Sequence, residues 1–280
     1  QNHWPSLEFD IGYVNNYLSS LLPAGFYYKT FIHPRPAWKY IFEPIIRRSA
    51  GLGKPTKGKD PDKYEHFYAY VDVLIVGGGI SGLYSAKVAA KSGARVLLIE
   101  QTPHLGGQAS IDNPLIDQGP TTNWITKLTK ELEGMNNVTI KTRTVGVGVY
   151  DHGYSLAYER LTDHQLNLSG SRHRLWKIRA KQIITATGAI ERPLSFANND
   201  VPGVMLASAV RNYLTNYGVS IGDRTVIVTN NDDAYRTAIS LKNAGLSVPL
   251  IIDTRPNGAG ELAKTARDLG IRIPKSLAVF

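Results

Sequence analysis

The apolar run Val73-Leu74-Ile75-Val76 passes directly into Gly77-Gly78-Gly79-Ile80-Ser81-Gly82. A second run, Val226-Ile227-Val228, passes instead into Thr229-Asn230-Asn231-Asp232-Asp233-Ala234. A short apolar run bounded by turn residues reads as a buried strand, and helical spacing after it reads as a packed helix. The first lead-in predicts a strand over 72–76, a glycine turn, a helix over about 80–92 and a strand over 95–100, a βαβ unit of about 30 residues. Alternating segments from Val138 to Ile184, broken at Asp151-His152-Gly153 and Ser169-Gly170-Ser171, predict a small antiparallel meander. Ile183-Ile184-Thr185-Ala186-Thr187-Gly188 predicts a strand returning to the same edge, and a second βαβ skeleton starts at Thr225.

Residues 1–70 carry no such period. Proline fixes φ and stops helices, so Pro23 and the His33-Pro34-Arg35-Pro36 run predict an extended, looped segment with one helix over Ala37–Arg48. Lys54-Pro55-Thr56-Lys57-Gly58-Lys59-Asp60-Pro61-Asp62 reads as a linker. The expected organisation is an N-terminal segment and linker over 1–70, a first domain over 71–200 with its meander at about 138–184, and a second, truncated domain over 201–280. A start at Gln1 and an end inside the strand-like run Ile271–Phe280 are expected of a piece of a longer chain.

Composition narrows the chemistry. No apolar run reaches the roughly 18 residues a membrane span needs. The net charge of +9 is dispersed among carboxylates rather than massed, which disfavours nucleic acid and leaves an acidic partner subunit as one expectation. Without cysteine, disulfides, thiolate metal sites, iron–sulfur ligation and dithiol redox pairs are all excluded, which fits a reducing, cytoplasmic setting. The seven histidines are scattered without metal-ligand spacing, so neither a metal site nor a catalytic residue is assigned.

The first turn carries the functional signal. Gly77, Gly79 and Gly82 form G-x-G-x-x-G between a strand and a helix, with three tasks: a tight turn, backbone access to a pyrophosphate, and close packing of helix on strand. A diphosphate there rests on the helix N-terminus, with Ser81 in the first turn as a further donor. Glu100 ends the second strand, where an acid accepts from the adenosine ribose hydroxyls and repels a 2′-phosphate, which disfavours NADP. Gly106 and Gly107, with Gln108, let a backbone pass beside a dinucleotide, and Gly188 closes the strand that returns to this edge.

In this order the glycine turn, the Gly-Gly loop and the Ala-Thr-Gly strand resemble flavoprotein oxidoreductases with two dinucleotide-binding domains. The expected fold is α/β: a Rossmann-like three-layer FAD/NAD(P)-binding domain, an antiparallel meander and a second, truncated Rossmann-like domain. Pro23-Ala24-Gly25-Phe26-Tyr27-Tyr28-Lys29-Thr30, Ile46–Gly53, Asp60–Tyr64 and Val228–Asp232 resemble, more closely still, the alpha subunits of heterotetrameric sarcosine oxidases. That resemblance implies an NAD on the first dinucleotide fold, FAD in a beta subunit that handles the small-molecule substrate, and FMN at the alpha/beta boundary. It also implies beta, gamma and delta partners. The implied reaction is demethylation of sarcosine to glycine, with peroxide formed and the one-carbon unit passed to tetrahydrofolate. By motif, Gly77, Gly79, Ser81 and Gly82 would line the pyrophosphate turn, and Glu100, Gln101 and Thr102 would face the adenosine. Gly107 and Gln108 would close over the ligand, and Val145 to Val147 would offer backbone groups to the adenine. FAD in place of NAD, an opine- or amine-dehydrogenase-type subunit, a free-standing NADH-dependent flavin reductase and a non-catalytic scaffold remain open.

The second turn places Thr229, Asn231 and Ala234 where Gly77, Gly79 and Gly82 stand in the first. Side chains at the first two places block phosphate approach, and Asp232 and Asp233 are expected to repel a diphosphate, by about 3 kcal/mol for unit charges ~5 Å apart at an effective dielectric of ~20. The fold is expected to keep its shape without a ligand, with Asp253 a relic of the ribose acid.

Overall fold

The computed structural model describes residues 4–6, 8–18, 20, 25–26, 29, 31, 33–51, 53, 56–165, 170–255 and 260–274. Pro23, Ala24, Tyr27, Tyr28 and Thr30 of the family-like stretch, Lys54 and Pro55 of the linker, Ser169 and the run Lys275–Phe280 lie outside the described residues. The chain divides into two compact units, Gln1–Pro61 and Asp62–Phe280. In the first, Pro34 and Pro36 open a helical stretch made of Arg35–Ala37, a π-helical Trp38–Phe42 and Glu43–Ser49, close to the expected 37–48. No described helix of this unit buries a residue, as expected of a segment too short to close its own core.

The second unit is built on strands β1 (Lys63–Val76), β2 (Val96–Ile99), β5 (Val138–Lys141), β6 (Thr144–Tyr150), β7 (Tyr154–Arg160) and β8 (Ser171–Thr185), in sheet order β5-β2-β1-β8-β7-β6. A two-residue hairpin, β3 (Leu115–Ile116) with β4 (Gly119–Pro120), stands apart from this sheet. β5, β2, β1 and β8 run parallel, and β7 and β6 return antiparallel. Two expectations need correction. The strand expected over 72–76 begins at Lys63, inside the segment set at 1–70, because Lys63–Val71 pairs along β8 below the glycine turn. Val138–Lys141, expected in the meander, pairs parallel with β2 instead, so the meander proper is β6–β7–β8. β8 is long enough to pair with β1 along the parallel sheet and with β7 in the meander.

Alternation sorts the core into two layers. Ile75, Val96 and Leu98 face helices α1 (Ile80–Lys91) and α3 (Thr121–Glu133), where Leu83, Ala86, Ile125, Leu128 and Leu132 are buried. Leu74, Leu97 and Ile99 face the other way, onto Ala157, Ile178 and Ala180 of the meander. Gly146 of β6 allows this closure, since a Cβ there would come within 3.0 Å of Val76 Cγ1. A one-turn helix, α2 (Ala109–Asp112), follows the Gly-Gly loop.

The second lobe of the unit holds α4 (Ala207–Tyr217), β9 (Arg224–Thr229), α5 (Asp233–Asn243), β10 (Ser247–Asp253) and α6 (Glu261–Asp268). β9 and β10 are parallel, with Ile227, Tyr235, Ala238, Leu241 and Ile251 in a separate core. The βαβ skeleton expected from Thr225 is present.

Leu83 is fully buried between α1 and the sheet. Leu83→Ala is expected to lower unfolding free energy by about 2–5 kcal/mol, measured by urea denaturation followed by circular dichroism; a loss below about 1 kcal/mol would contradict the packing described.

Candidate dinucleotide-binding site

The first turn assigns its glycines by collision and by clearance. Gly77 adopts φ +109, a region side chains disfavour, and a Cβ on it would overlap the carbonyl oxygen of Ala186. A Cβ on Gly82 would overlap the carbonyl oxygen of Gly77, so helix α1 lies on the strand only because position 82 has no side chain. Gly79 differs, because a Cβ there meets no atom within 4 Å. The space kept clear by Gly79 lies at the N-terminus of α1, whose cap makes no side-chain hydrogen bond. The first N–H groups of a helix have no internal partner and favour an anion, and exposed Ser81 sits among them.

Glu100 is buried, and its carboxylate braces the turn: it accepts from Gly78 N–H at 2.7 Å and Thr102 N–H at 2.8 Å, while the Thr102 hydroxyl, with one proton to give, lies 2.9 Å from Glu100 Oε1 and 2.6 Å from His104 O. At least two of its roughly four acceptor positions are thereby used, leaving room for a donor such as a ribose hydroxyl. The Gly-Gly loop docks on the turn, with Gly106 N–H donating to Gly78 O at 2.8 Å. Gly107 lies against Gly79, where an added Cβ would come within 3.2 Å of the Gly79 Cα. Gln108 is exposed beside it and donates from Nε2 to Asp112 Oδ1 at 3.1 Å.

Backbone bonds bring the remaining expected residues to this edge. Thr144 N–H donates to Glu100 O at 2.7 Å and Arg143 N–H to Thr102 O at 3.0 Å, which sets Val145 and Val147, both exposed, beside Glu100–Thr102. Ala186 N–H donates to Val76 O at 2.8 Å, so exposed Gly188, at φ +73, follows the strand that abuts Gly77. Gln101 is exposed, and its carbonyl accepts from Arg160 Nη2 at 2.9 Å.

Sequence reasoning missed Gly78, Arg143 and Arg160. Gly78 was visible as the middle of three glycines; a Cβ there would press on Leu105 and Glu100. The arginines carry no motif: Arg143 pairs with Asp163, and burial, which alone would raise the Asp163 carboxyl, is outweighed by Arg143 so that its pKa falls below the ordinary value. Among the described residues no group of His, Asp and Glu is arranged to hold a metal.

The second turn is closed by its own side chains. Thr229 is buried, its Oγ1 accepting from Asn231 N–H at 3.1 Å and donating to Asn231 O at 2.9 Å. Asn231 Oδ1 accepts the Asp233 N–H at 3.0 Å, taking an amide that α1 leaves open at the corresponding place. The expected repulsion by Asp232 and Asp233 needs correction. Asp232 pairs with Arg255 at 2.6 Å and Asp233 with Arg211 at 3.0 Å, so much of that charge is neutralised, and what stands against a diphosphate at this turn is the bonded Asp233 amide and the Thr229 side chain. Asp253 is buried and accepts from Tyr235 Oη at 2.8 Å and from Arg255 N, Nε and Nη2 at 3.0, 3.0 and 2.7 Å. Burial opposes its charge, yet the Arg255 bonds prevail and its pKa is lowered; burial and then the Asp253 bond push Tyr235 up to about 12. A hollow of about 330 Å³ lies against β9; its wall is largely apolar, with Arg192 at its edge and with Glu191, which caps α4, accepting from Ser208 N–H at 2.7 Å.

A parallel sheet covered by helices and a meander, with a glycine turn on a helix N-terminus and an acid closing the next strand, defines the dinucleotide-binding fold of FAD/NAD(P)-dependent oxidoreductases. The FAD dependent oxidoreductase family model matches residues 72–153. The fold is similar to L-proline dehydrogenase from P. horikoshii, with TM-score 0.54 and 25% identity over 74% of this chain and 40% of that one. Sarcosine oxidase subunit alpha of Rhizobium meliloti (strain 1021) is 44% identical over 95% of this chain and 27% of its own length. The Corynebacterium sp. (strain U-96) subunit alpha is 41% identical over 78% of this chain and 23% of its own. The chain is a homologue of sarcosine oxidase subunit alpha, spanning about a quarter of the length of these relatives.

Gly79→Ala is expected to keep its unfolding midpoint near wild type yet weaken dinucleotide binding at least about tenfold, whereas Gly82→Ala collapses the turn. Thermal unfolding with NAD titration separates the two; equal behaviour would refute the assignment of the free face. Asp253 has a lowered pKa in the folded state, so its stabilisation is full above the ordinary 3.8 and is lost as pH falls from there through the lower folded value. Asp253→Asn should therefore cost about 1–3 kcal/mol at neutral pH, and the gap to wild type should narrow in acid; a gap independent of pH would argue against the Arg255 pairing.

Proposed function

We propose that this chain is the part of a sarcosine oxidase alpha-type subunit that holds one NAD on its first dinucleotide fold, without itself providing a catalytic residue. One observation carries this reading: the clearance at Gly79 above an uncapped helix N-terminus, beside a duplicate that its own side chains close. Gly77, Gly79, Ser81 and Gly82 would hold the pyrophosphate, and Glu100, Gln101 and Thr102 the adenosine ribose. Gly107, Gln108, Val145, Val147 and Gly188 would line the rest. A bound nicotinamide or flavin would supply the redox chemistry that a chain without cysteine lacks.

The proposed setting is a cytoplasmic complex with beta, gamma and delta subunits that also carries FAD and FMN. There the beta subunit handles the substrate, sarcosine is demethylated to glycine with peroxide formed, and the one-carbon unit passes to tetrahydrofolate. Among the described residues no helix is long and apolar enough to cross a membrane, which is compatible with that setting. FAD in the same groove is the second reading, favoured by the family match over residues 72–153.

Mass analysis of ligand released by denaturation is expected to yield NAD from a colourless chain. FAD with flavin absorbance would replace the first reading by the second, and no nucleotide, together with no thermal shift on adding NAD, ADP-ribose or FAD, would leave a scaffold.

A further inference from the structure

We propose that Arg211, on the second lobe, is a positioning residue for the dinucleotide site: it anchors the loop Gly106–Asp112 against the glycine turn. The inference rests on the dinucleotide reading of that turn and extends it to a residue outside every motif.

Arg211 lies on α4 and is 1% exposed, so its charge must find partners inside the protein. Two carboxylates from different parts of the fold meet it. Its Nε is 2.8 Å from Asp112 Oδ1 at the end of α2; the N–H is not aimed at that oxygen, so the contact is an ion pair rather than a hydrogen bond. Its Nη2 donates to both Asp233 carboxylate oxygens at 3.1 and 3.0 Å. Nη1 donates to Asp233 O at 3.1 Å and Thr237 Oγ1 at 2.8 Å, and Thr237 Oγ1 donates to Ala207 O at 2.8 Å. Arg236, the other cation near Asp233, is 3.7 Å from it and half-exposed.

From Asp112 the connection continues into the site. The same Oδ1 accepts from Gln108 Nε2 at 3.1 Å, and Gln108 adjoins Gly107, which lies on Gly79. The loop is also held by the Gly106–Gly78 bond, by the close approach of Gly106 to Ile125 and, just past its end, by the Thr122 N–H donating to Asn113 Oδ1 at 3.4 Å, so Arg211 is its charged anchor among these. Gly106 and Gly107 have φ of +110 and +54, α2 is a single turn, and Asn113 ends it at φ +40. The Asp112 side chain is only 14% exposed, so its carboxylate needs the cation it meets. The closed second turn supplies one partner of that cation, Asp233, and the second fold thereby acts as a support for the first site.

Binding of NAD by calorimetry, with amide hydrogen exchange over 105–113, tests this on the whole chain for wild type, Q108A, D112N, R211M and Q108A/R211M. D112N and R211M are expected to weaken NAD about tenfold or more and to speed exchange over 106–112. Q108A/R211M is expected to bind no more weakly than R211M alone, because groups acting through one network are not additive. Wild-type affinity in D112N and R211M, or additive losses in the double variant, would overturn the inference. Should R211M not fold, D112N decides, since it removes one charge without changing shape. If wild type binds no dinucleotide, the proposed function falls, and unchanged loop exchange in D112N would then overturn the anchoring as well.

Discussion

The structure turns on a steric constraint at three backbone positions. Helix α1 lies against β1 because Gly82 lets it touch the Gly77 carbonyl, and β8 closes on the turn because Gly77 leaves space for Ala186. Those two contacts point the N-terminus of α1 at the clearance by Gly79. Glu100 and the Gly106–Gly78 bond then hold the turn from the other side. A side chain at 82 would push the helix off the sheet, one at 77 would force Ala186 away from the turn, and either would disturb the residues around Gly79.

The second lobe keeps the same backbone idea with a different solution. A hydroxyl and an amide side chain satisfy the turn from within, and Arg255 joins Asp232 to Asp253 across the place a ribose would use. The charge argument available from the sequence fails here because it counts Asp232 and Asp233 without their arginines. Ion pairs between distant segments change the sign and reach of a local field, and residue order does not display them.

The glycine turn, the acid that ends the second strand and both βαβ units were legible because each depends on neighbours in sequence: apolar runs, glycine spacing and a fixed offset to Glu100. The lower half of β1 was not. Tyr64, Tyr68 and Tyr70 are more than half exposed, so Lys63–Val71 lacks the polar-out alternation that marks a half-buried strand. β5 reads as part of the meander in the sequence because a parallel and an antiparallel strand share the same side-chain period, and only the partner distinguishes them. In the site, Gly77, Gly79, Gly82 and Glu100 could be found by pattern. Arg143, Arg160 and Arg211 could not, since each is defined by what the tertiary fold brings to it.

The two turns also differ in what a ligand does to stability. At the second, the Asp233 amide and the Asp253 carboxylate are already bonded within the chain, so a bound anion would first have to displace internal partners, at a cost near that of leaving a buried polar group unmade. At the first, no side chain caps α1, so an anion would meet its amides without displacing a side-chain partner. A dinucleotide bound there would stabilise the folded state by about 2.7 kcal/mol at a ligand concentration 100 times the dissociation constant. A dinucleotide on the first turn, as proposed, would thus add to the stability of the first fold, while the second turn already bonds its own amide and carboxylate within the chain.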